Sequence, residues 1–353
     1  MIAPSLPLGI GFHAVGALLA ANCYAPQKYI KGWAWEIFWM TQAAWCWLLW
    51  PIIGAFLTIP NLLLVLSTAP HDRMLYAFLM GVAYGVGGTA FNISIRYIGF
   101  ALTYSIAVGL SSILGTLIPP LVRGQVATIL HRPGSPWVLG GILAGAAGIA
   151  ICGVAGRLKE RDLDASAGKR GEFSLYKGLV LSLIAGVLSA VYGLALEVAA
   201  PVADLAEHYG ACIWKGNVSY VVVNSGGFLT ALLYSLYLAR RNRTLGELTR
   251  LPAASGPQRI GWNYLFALMT GTLWYGQFFF YNLGHVHLGT QYAFSSWAIH
   301  MILLVLCSNL LALAFREWKG GSGRTRWIIC TGVVVLCAAV VMLTYGNRLG
   351  EIS

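Results

Sequence analysis

Ten apolar stretches, with Lys and Arg crowded into every second gap between them, leave this chain little choice of fold class. The stretches cover about 6–24, 34–58, 74–95, 100–122, 137–155, 177–197, 211–238, 261–283, 289–315 and 325–345. Each is long enough to cross a bilayer as a helix. Eighteen of the 23 Lys and Arg residues lie in the gaps after stretches 1, 3, 5, 7 and 9, four lie on the other side, and Lys215 sits near the start of stretch 7. Basic loops stay in the cytoplasm, so both termini are expected to face outward. The expected fold is an all-α integral membrane protein with ten transmembrane helices.

The composition agrees, with 58% hydrophobic and only 10% charged residues, outside the range of an ordinary soluble domain. A net charge of +11 would point to nucleic acid in a soluble protein. Here the basic residues flank membrane spans, so orientation and anionic headgroups account for them and no nucleic-acid partner is expected. The first 27 residues hold no Lys or Arg, and no small-residue cleavage site follows a charged start, so the first span is expected to be retained. All seven cysteines fall in predicted spans without a CxxC pair, which argues against a disulfide framework and against a metal site. HExxH, GxxxxGK[ST] and GxGxxG patterns are absent, and no cofactor is expected.

The charged segment from Arg157 to Lys177 divides the ten stretches into five and five. An odd number per half means that the second half enters the membrane from the opposite side, the condition for inverted repeats. The expected division is a first five-helix repeat over 1–156, a cytoplasmic linker over 157–176 and a second repeat over 177–353. A shift of 190 residues lays Gly81 on Gly271, Asn92 on Asn282, Ile98 on Leu288, Gly99 on Gly289 and Tyr104 on Phe294. The shared element is an Asn, six residues and a Gly at a tight connection between two spans. Glycines cluster in the third and eighth stretches, where helices pack closely or unwind around a transport site. Pro51 and Pro119-Pro120 mark kinks or helix ends.

Polar groups inside hydrocarbon are costly unless paired, so those inside spans are the functional candidates. The densest group runs from Trp274 to His300. At 1.5 Å per residue, Trp274 lies near the midplane with Gln277 one turn above it, and His300 lies about 16 Å deep with Trp297 on the same face. The four are expected to line one cavity at one depth. Indole faces stack on the C–H face of a pyranose, while amide and imidazole groups bond to ring hydroxyls, so the mixture suits a sugar. Gln291 and Tyr292 sit nearer the outer mouth, and Asn92 occupies the equivalent turn of the first half; these three join the substrate-binding candidates. An aromatic belt with helix-to-helix hydrogen bonds is the structural alternative. None of the twelve acidic residues falls mid-span. Proton coupling therefore points to His300, then to His13, with Glu36 at a cytoplasmic span end as a further candidate. Glu36 also reads as an interfacial residue beside Lys28 and Lys31.

Several motifs carry a resemblance. They are Cys23-Tyr24-Ala25-Pro26, Lys31-Gly32-Trp33-Ala34-Trp35-Glu36, Arg96-Tyr97-Ile98-Gly99, Gly115-Thr116-Leu117 and Leu158-Lys159-Glu160-Arg161. The longest is the block from Leu273-Trp274-Tyr275 through Gln277 to Tyr281, Gly284-His285, Gln291-Tyr292, Ser296-Trp297 and His300-Met301 to Glu317-Trp318. On these residues the chain resembles the L-rhamnose–proton symporter family of the drug/metabolite transporter superfamily. The resemblance implies two inverted five-helix repeats, alternating access, and proton-driven uptake of a 6-deoxyhexose. Members of that family often carry an acidic residue just after the Gln-Tyr pair, where this chain has Ala293. A different sugar, or coupling through His300, would be consistent with that change. A superfamily exporter or exchanger of another substrate is the same-class alternative. An intramembrane serine hydrolase, with Gly109-Leu110-Ser111-Ser112 and His300, is the alternative from another class.

Overall fold

A polar backbone in hydrocarbon must bond within its own segment, and the chain answers that requirement with helices throughout. The computed structural model describes residues 5–167, 174–252, 259–289, 295–315, 318 and 321–352. The helices are α1 (Leu6–Asn22), α2 (Trp35–Ala43), α3 (Trp50–Thr58), α4 (Leu62–Thr68), α5 (His71–Ile98), α6 (Phe100–Val122), α7 (Val126–Leu130), α8 (Ser135–Ala167), α9 (Leu175–Val198), α10 (Ala200–His208), α11 (Asn217–Asn242), α12 (Ile260–Leu288), α13 (Ser296–Ala314) and α14 (Gly323–Ile352). Among the described residues, nine helical segments are long and apolar enough to cross a membrane. The protein is therefore a multi-pass membrane protein. Every predicted stretch coincides with a helix, but α12, which covers the predicted stretch 261–283, is not among the nine. It has 29 residues, and Asn263, Thr270, Thr272, Gln277, Asn282, His285 and His287 dilute its apolar character.

Between α2 and α3 the residues Ala44–Leu49 form a π-helical turn. Pro51 follows it, and a proline ring clashes with the carbonyl four residues back while offering no N–H. The local solution is a wider turn in which the Trp50 N–H donates to the Trp45 carbonyl. Two connections rest on glycine. Gly99 alone separates α5 from α6 at φ 81°, and Gly289 follows α12 at φ 75°. A Cβ is strained in that left-handed region, so both residues have a physical reason to be glycine.

The chain packs as two compact units. The first comprises Asn22–Val86 and Ala195–Asn282; the second comprises Ile2–Ala21, Gly87–Leu194 and Leu283–Ser353. In the first unit, α5 and α11 meet at Gly81 and Gly226, where an added Cβ would strike the carbonyls of Val223 and Phe78 respectively. In the second, α8 and α14 lie together along a stripe of small residues. A Cβ on Gly141 would meet Leu343 at 2.8 Å, one on Gly148 would meet Leu336 at 2.8 Å, and one on Gly332 would meet Cys152 Sγ at 2.7 Å. Small residues of this kind let helix backbones approach where lipid supplies no hydrophobic drive for association. Ile142, Ile149, Ile302, Leu336 and Leu343 fill the core of this unit.

α8 runs on through Ala167, so the first part of the charged segment expected as a linker is helical. Beyond the apolar span, Asp162 accepts hydrogen bonds from the Ser322 N–H at 2.9 Å and the Thr325 hydroxyl at 3.0 Å, at the start of α14.

Candidate functional site

In the first unit, α2, the π-helical turn and α12 assemble a cluster of indoles. Gly271 is the reason they can approach: a Cβ there would stand 3.0 Å from the Gln42 carbonyl and 3.1 Å from the Cys46 N–H nitrogen. One turn further along α12, the Trp274 ring lies 5.3 Å from Tyr24, 5.5 Å from Trp47 and 5.9 Å from Trp39. Trp39 and Trp47 are 5.9 Å apart, and Tyr84 is 5.9 Å from Trp47. All these ring pairs are close to perpendicular, the arrangement favoured by aromatic quadrupoles.

Six polar atoms on these elements have no hydrogen-bond partner among the described residues. Trp47 Nε1, Trp274 Nε1, the Thr270 hydroxyl, the Tyr275 hydroxyl and both amide atoms of Gln42 are buried without a hydrogen bond among the described residues. An unsatisfied buried polar group costs about 1–3 kcal/mol, so six such atoms in one unit call for a ligand rather than for chance. No formal charge lies among them, and the chemistry on offer is aromatic faces with neutral donors and acceptors. That combination suits an uncharged, hydroxylated, partly apolar ligand. Gln277, one turn beyond Trp274, is buried. Near the other end of this unit Glu36 is also buried, and its Oε1 accepts from Asn242 Nδ2 and the Thr244 hydroxyl, each at 2.9 Å. Of the two sequence-based readings of Glu36, proton-coupling candidate and interfacial residue, burial runs against the second: it is a buried, hydrogen-bonded carboxylate.

The second unit brings the two intramembrane histidines together. His13 on α1 is fully buried, and a hydrogen bond of 3.0 Å joins its Nε2 to the Ser296 hydroxyl. The His300 ring, one turn along α13 from Ser296, lies 5.7 Å from that of His13. Gly284 makes room for this pair: a Cβ there would meet His13 Nε2 at 2.8 Å and the Gly9 carbonyl at 2.9 Å. Trp297 is held differently from Trp274. Its Nε1 donates to the Ser111 carbonyl at 3.1 Å, and its ring fills the space over Gly115, where a Cβ would come within 2.6 Å of it. On the neighbouring turn of α6, the buried Ser112 and Thr116 hydroxyls have no hydrogen-bond partner among the described residues. Asn92 donates to the Gly88 carbonyl of its own helix at 2.9 Å, and His287 Nδ1 bonds to the Leu283 carbonyl at 2.8 Å.

The four midplane residues expected in one cavity fall two to each unit, Trp274 and Gln277 in the first and Trp297 and His300 in the second. Gln291, Tyr292 and Ala293 lie outside the described residues. Among the described residues no group of three or more His, Cys, Asp or Glu is placed to hold a metal ion.

The decisive comparison is with known families. Residues 2–348 match the family model described as L-rhamnose-proton symport protein (RhaT). The chain belongs to that family. It is 34% identical over 339 residues to the L-rhamnose-proton symporter of Yersinia pestis (strain Pestoides F), covering 95% of this chain and 97% of that one. Against the L-rhamnose-proton symporter of Pectobacterium atrosepticum it is 34% identical over 337 residues, covering 95% and 96%. Symporters are transporters, so membership sets aside the hydrolase alternative.

Within this family frame, sequence reasoning identified Trp274 but passed over Gln42, Trp39 and Trp47. The Trp residues of the second stretch look like a membrane-interface belt, and only the fold shows three of the indoles gathered together. Gln42 had a usable signal. It stands about 12 Å into its stretch, counted at 1.5 Å per residue, the same criterion that selected Gln277 and His300.

Proposed function

We propose that this chain is a proton-coupled importer of L-rhamnose, or of a closely related 6-deoxyhexose or pentose, working by alternating access. The observation that carries this reading is the family match over residues 2–348. Two features of the molecule support it. The unpartnered indole, hydroxyl and amide groups around Trp274 suit a neutral sugar, with ring C–H faces against indole and hydroxyls against the polar atoms. The His13–Ser296–His300 group supplies titratable side chains inside the membrane without a fixed charge. Imidazole titrates closest to neutrality, so the pair is suited to taking up a proton on one side and releasing it on the other. Two charges 5.7 Å apart would repel, which favours one proton on the pair at a time.

The same proposal includes ten transmembrane helices in two inverted repeats. α12 supports the tenth crossing, since 29 residues span roughly 43 Å against a hydrocarbon core of about 30 Å. The make-up of the compact units supports the repeat. Numbered as the ten predicted stretches, the first unit holds 2 with 7 and most of 3 with most of 8. The second holds most of 1 with most of 6, 4 with 9 and 5 with 10. Each unit thus contains a stretch together with its counterpart five positions later, as inverted halves would give. The glycines laid on one another by the repeat, Gly99 and Gly289, share the left-handed conformation. We place both termini on the periplasmic face of the inner membrane, following the basic loops.

The energetics suffice. One proton moving down about 100 mV supplies roughly 2.3 kcal/mol, enough for about fifty-fold accumulation of a neutral sugar. The test is proton movement in proteoliposomes on adding L-rhamnose, L-fucose, L-lyxose or D-mannose separately. External alkalinisation with one sugar is the expected outcome. Sugar binding without proton movement would reduce the protein to a facilitator, and silence with every sugar would sink the sugar reading.

A further inference from the structure

Several amides of this protein bond to its own backbone. Asn92, Asn263, Asn282 and Asn309 each donate to a backbone carbonyl, at 2.9, 2.8, 3.2 and 2.8 Å. Gln42 does not. It is fully buried on α2, and neither its amide oxygen nor its amide nitrogen has a hydrogen-bond partner among the described residues. Its helix and the π-helical turn that follows carry rings of the aromatic cluster. Trp39 precedes it by one turn, its ring 5.9 Å from Trp274, and Gly271 brings α12 against its carbonyl. The π-helical turn begins two residues later and carries Trp47, whose buried Nε1 is also unpartnered. Single π turns of this sort recur at functional sites, where they shift the register of side chains that a regular helix would space evenly.

We propose that Gln42 is the hydroxyl-reading residue of the sugar site, with the Trp47 and Trp274 N–H groups beside it as further donors; this rests on the sugar-transport reading above. A primary amide presents a donor and an acceptor in one plane, and two adjacent ring hydroxyls present the matching acceptor and donor. A buried amide left unbonded by the protein is completed by such a pair, while indole faces cover the sugar's C–H and methyl groups. The same arrangement gives selectivity. An analogue lacking one of the two hydroxyls leaves the buried amide half-bonded, and sites of this kind reject such analogues strongly.

The test uses the full chain in lipid nanodiscs, with L-rhamnose affinity read from the intrinsic tryptophan signal and thermal stability measured in parallel. Gln42→Met keeps the side chain's length and removes its hydrogen bonds. The expected result is L-rhamnose binding weakened about ten- to thirty-fold, smaller discrimination against a deoxy analogue lacking one ring hydroxyl, and a melting temperature unchanged or raised. Affinity within twofold of the unsubstituted chain would overturn the assignment while leaving sugar transport intact. A melting temperature lowered by several degrees would also overturn it, because an amide needed for folding has a protein partner. If the unsubstituted chain binds none of the sugars, the transport reading itself fails and this assignment falls with it.

Discussion

Trp274 and Trp297 entered as equals, two indoles near the midplane of neighbouring predicted spans, and the structure separates them. In the first unit Trp274 stands among three other aromatic rings within 6 Å, and neither its N–H nor the Gln42 amide has a hydrogen-bond partner among the described residues. In the second unit Trp297 is bonded to the Ser111 carbonyl and wedged over Gly115. A buried donor that already has a protein acceptor has been given its work by the fold, whereas one without an acceptor is waiting for something the chain does not supply. The difference teaches that depth and residue type nominate candidates, while hydrogen-bond completeness sorts recognition from construction.

Three substitutions set that contrast at risk. The largest effect is expected from His300→Ala, which takes one imidazole from the His13–His300 pair: sugar-driven proton uptake in proteoliposomes should vanish while sugar affinity stays within about threefold. Persistent alkalinisation would remove His300 from coupling. Next, Trp274→Ala removes the centre of the aromatic cluster and should weaken L-rhamnose binding by about 2 kcal/mol, roughly thirty-fold, with the fold retained. Unchanged affinity would take Trp274 out of the site and with it the argument from unpaired donors. Trp297→Phe is the sharper control. It deletes one neutral hydrogen bond, so stability should fall by about 1 kcal/mol while affinity moves less than twofold. A thirty-fold loss of affinity there would erase the distinction between the two indoles.

How far the sequence could see follows from the same distinction. Helices were legible because an apolar run long enough to span a bilayer has no other way to bond its backbone; α1, α6 and α9 begin within two residues of the expected positions. The turn glycines were legible too, because their left-handed φ values leave room for no common alternative. α8 continues beyond the apolar span expected over 137–155, because a hydropathy criterion stops where Arg157, Lys159 and Arg161 begin although the backbone does not. Gln42 was passed over and Trp297 was grouped with Trp274 for one reason. Whether a buried polar group is already bonded depends on a partner far away in sequence, such as Ser111 for Trp297, and no local pattern reports it.

The smallest effect is expected outside the membrane, where the second unit supplies a fully bonded counterpart to the open cluster. Asp162 joins the end of α8 to the beginning of α14 through the Ser322 N–H and the Thr325 hydroxyl. These bonds favour the ionised carboxylate, so the Ser322 N–H first and the Thr325 hydroxyl second hold its pKa below the ordinary value of 3.8. A carboxyl whose folded pKa is depressed contributes stability above its unfolded pKa and loses that contribution as pH falls through the folded value. The gap in melting temperature between the unsubstituted chain and Asp162→Asn should therefore stay constant from about pH 8 to pH 5 and close only below about pH 4, where the carboxylate becomes protonated. Sugar affinity should be unaffected throughout, since Asp162 lies beyond the apolar span and bonds to the start of α14. A gap that changed between pH 8 and pH 5 would mean that another titrating group, rather than these two donors, sets the strength of the junction.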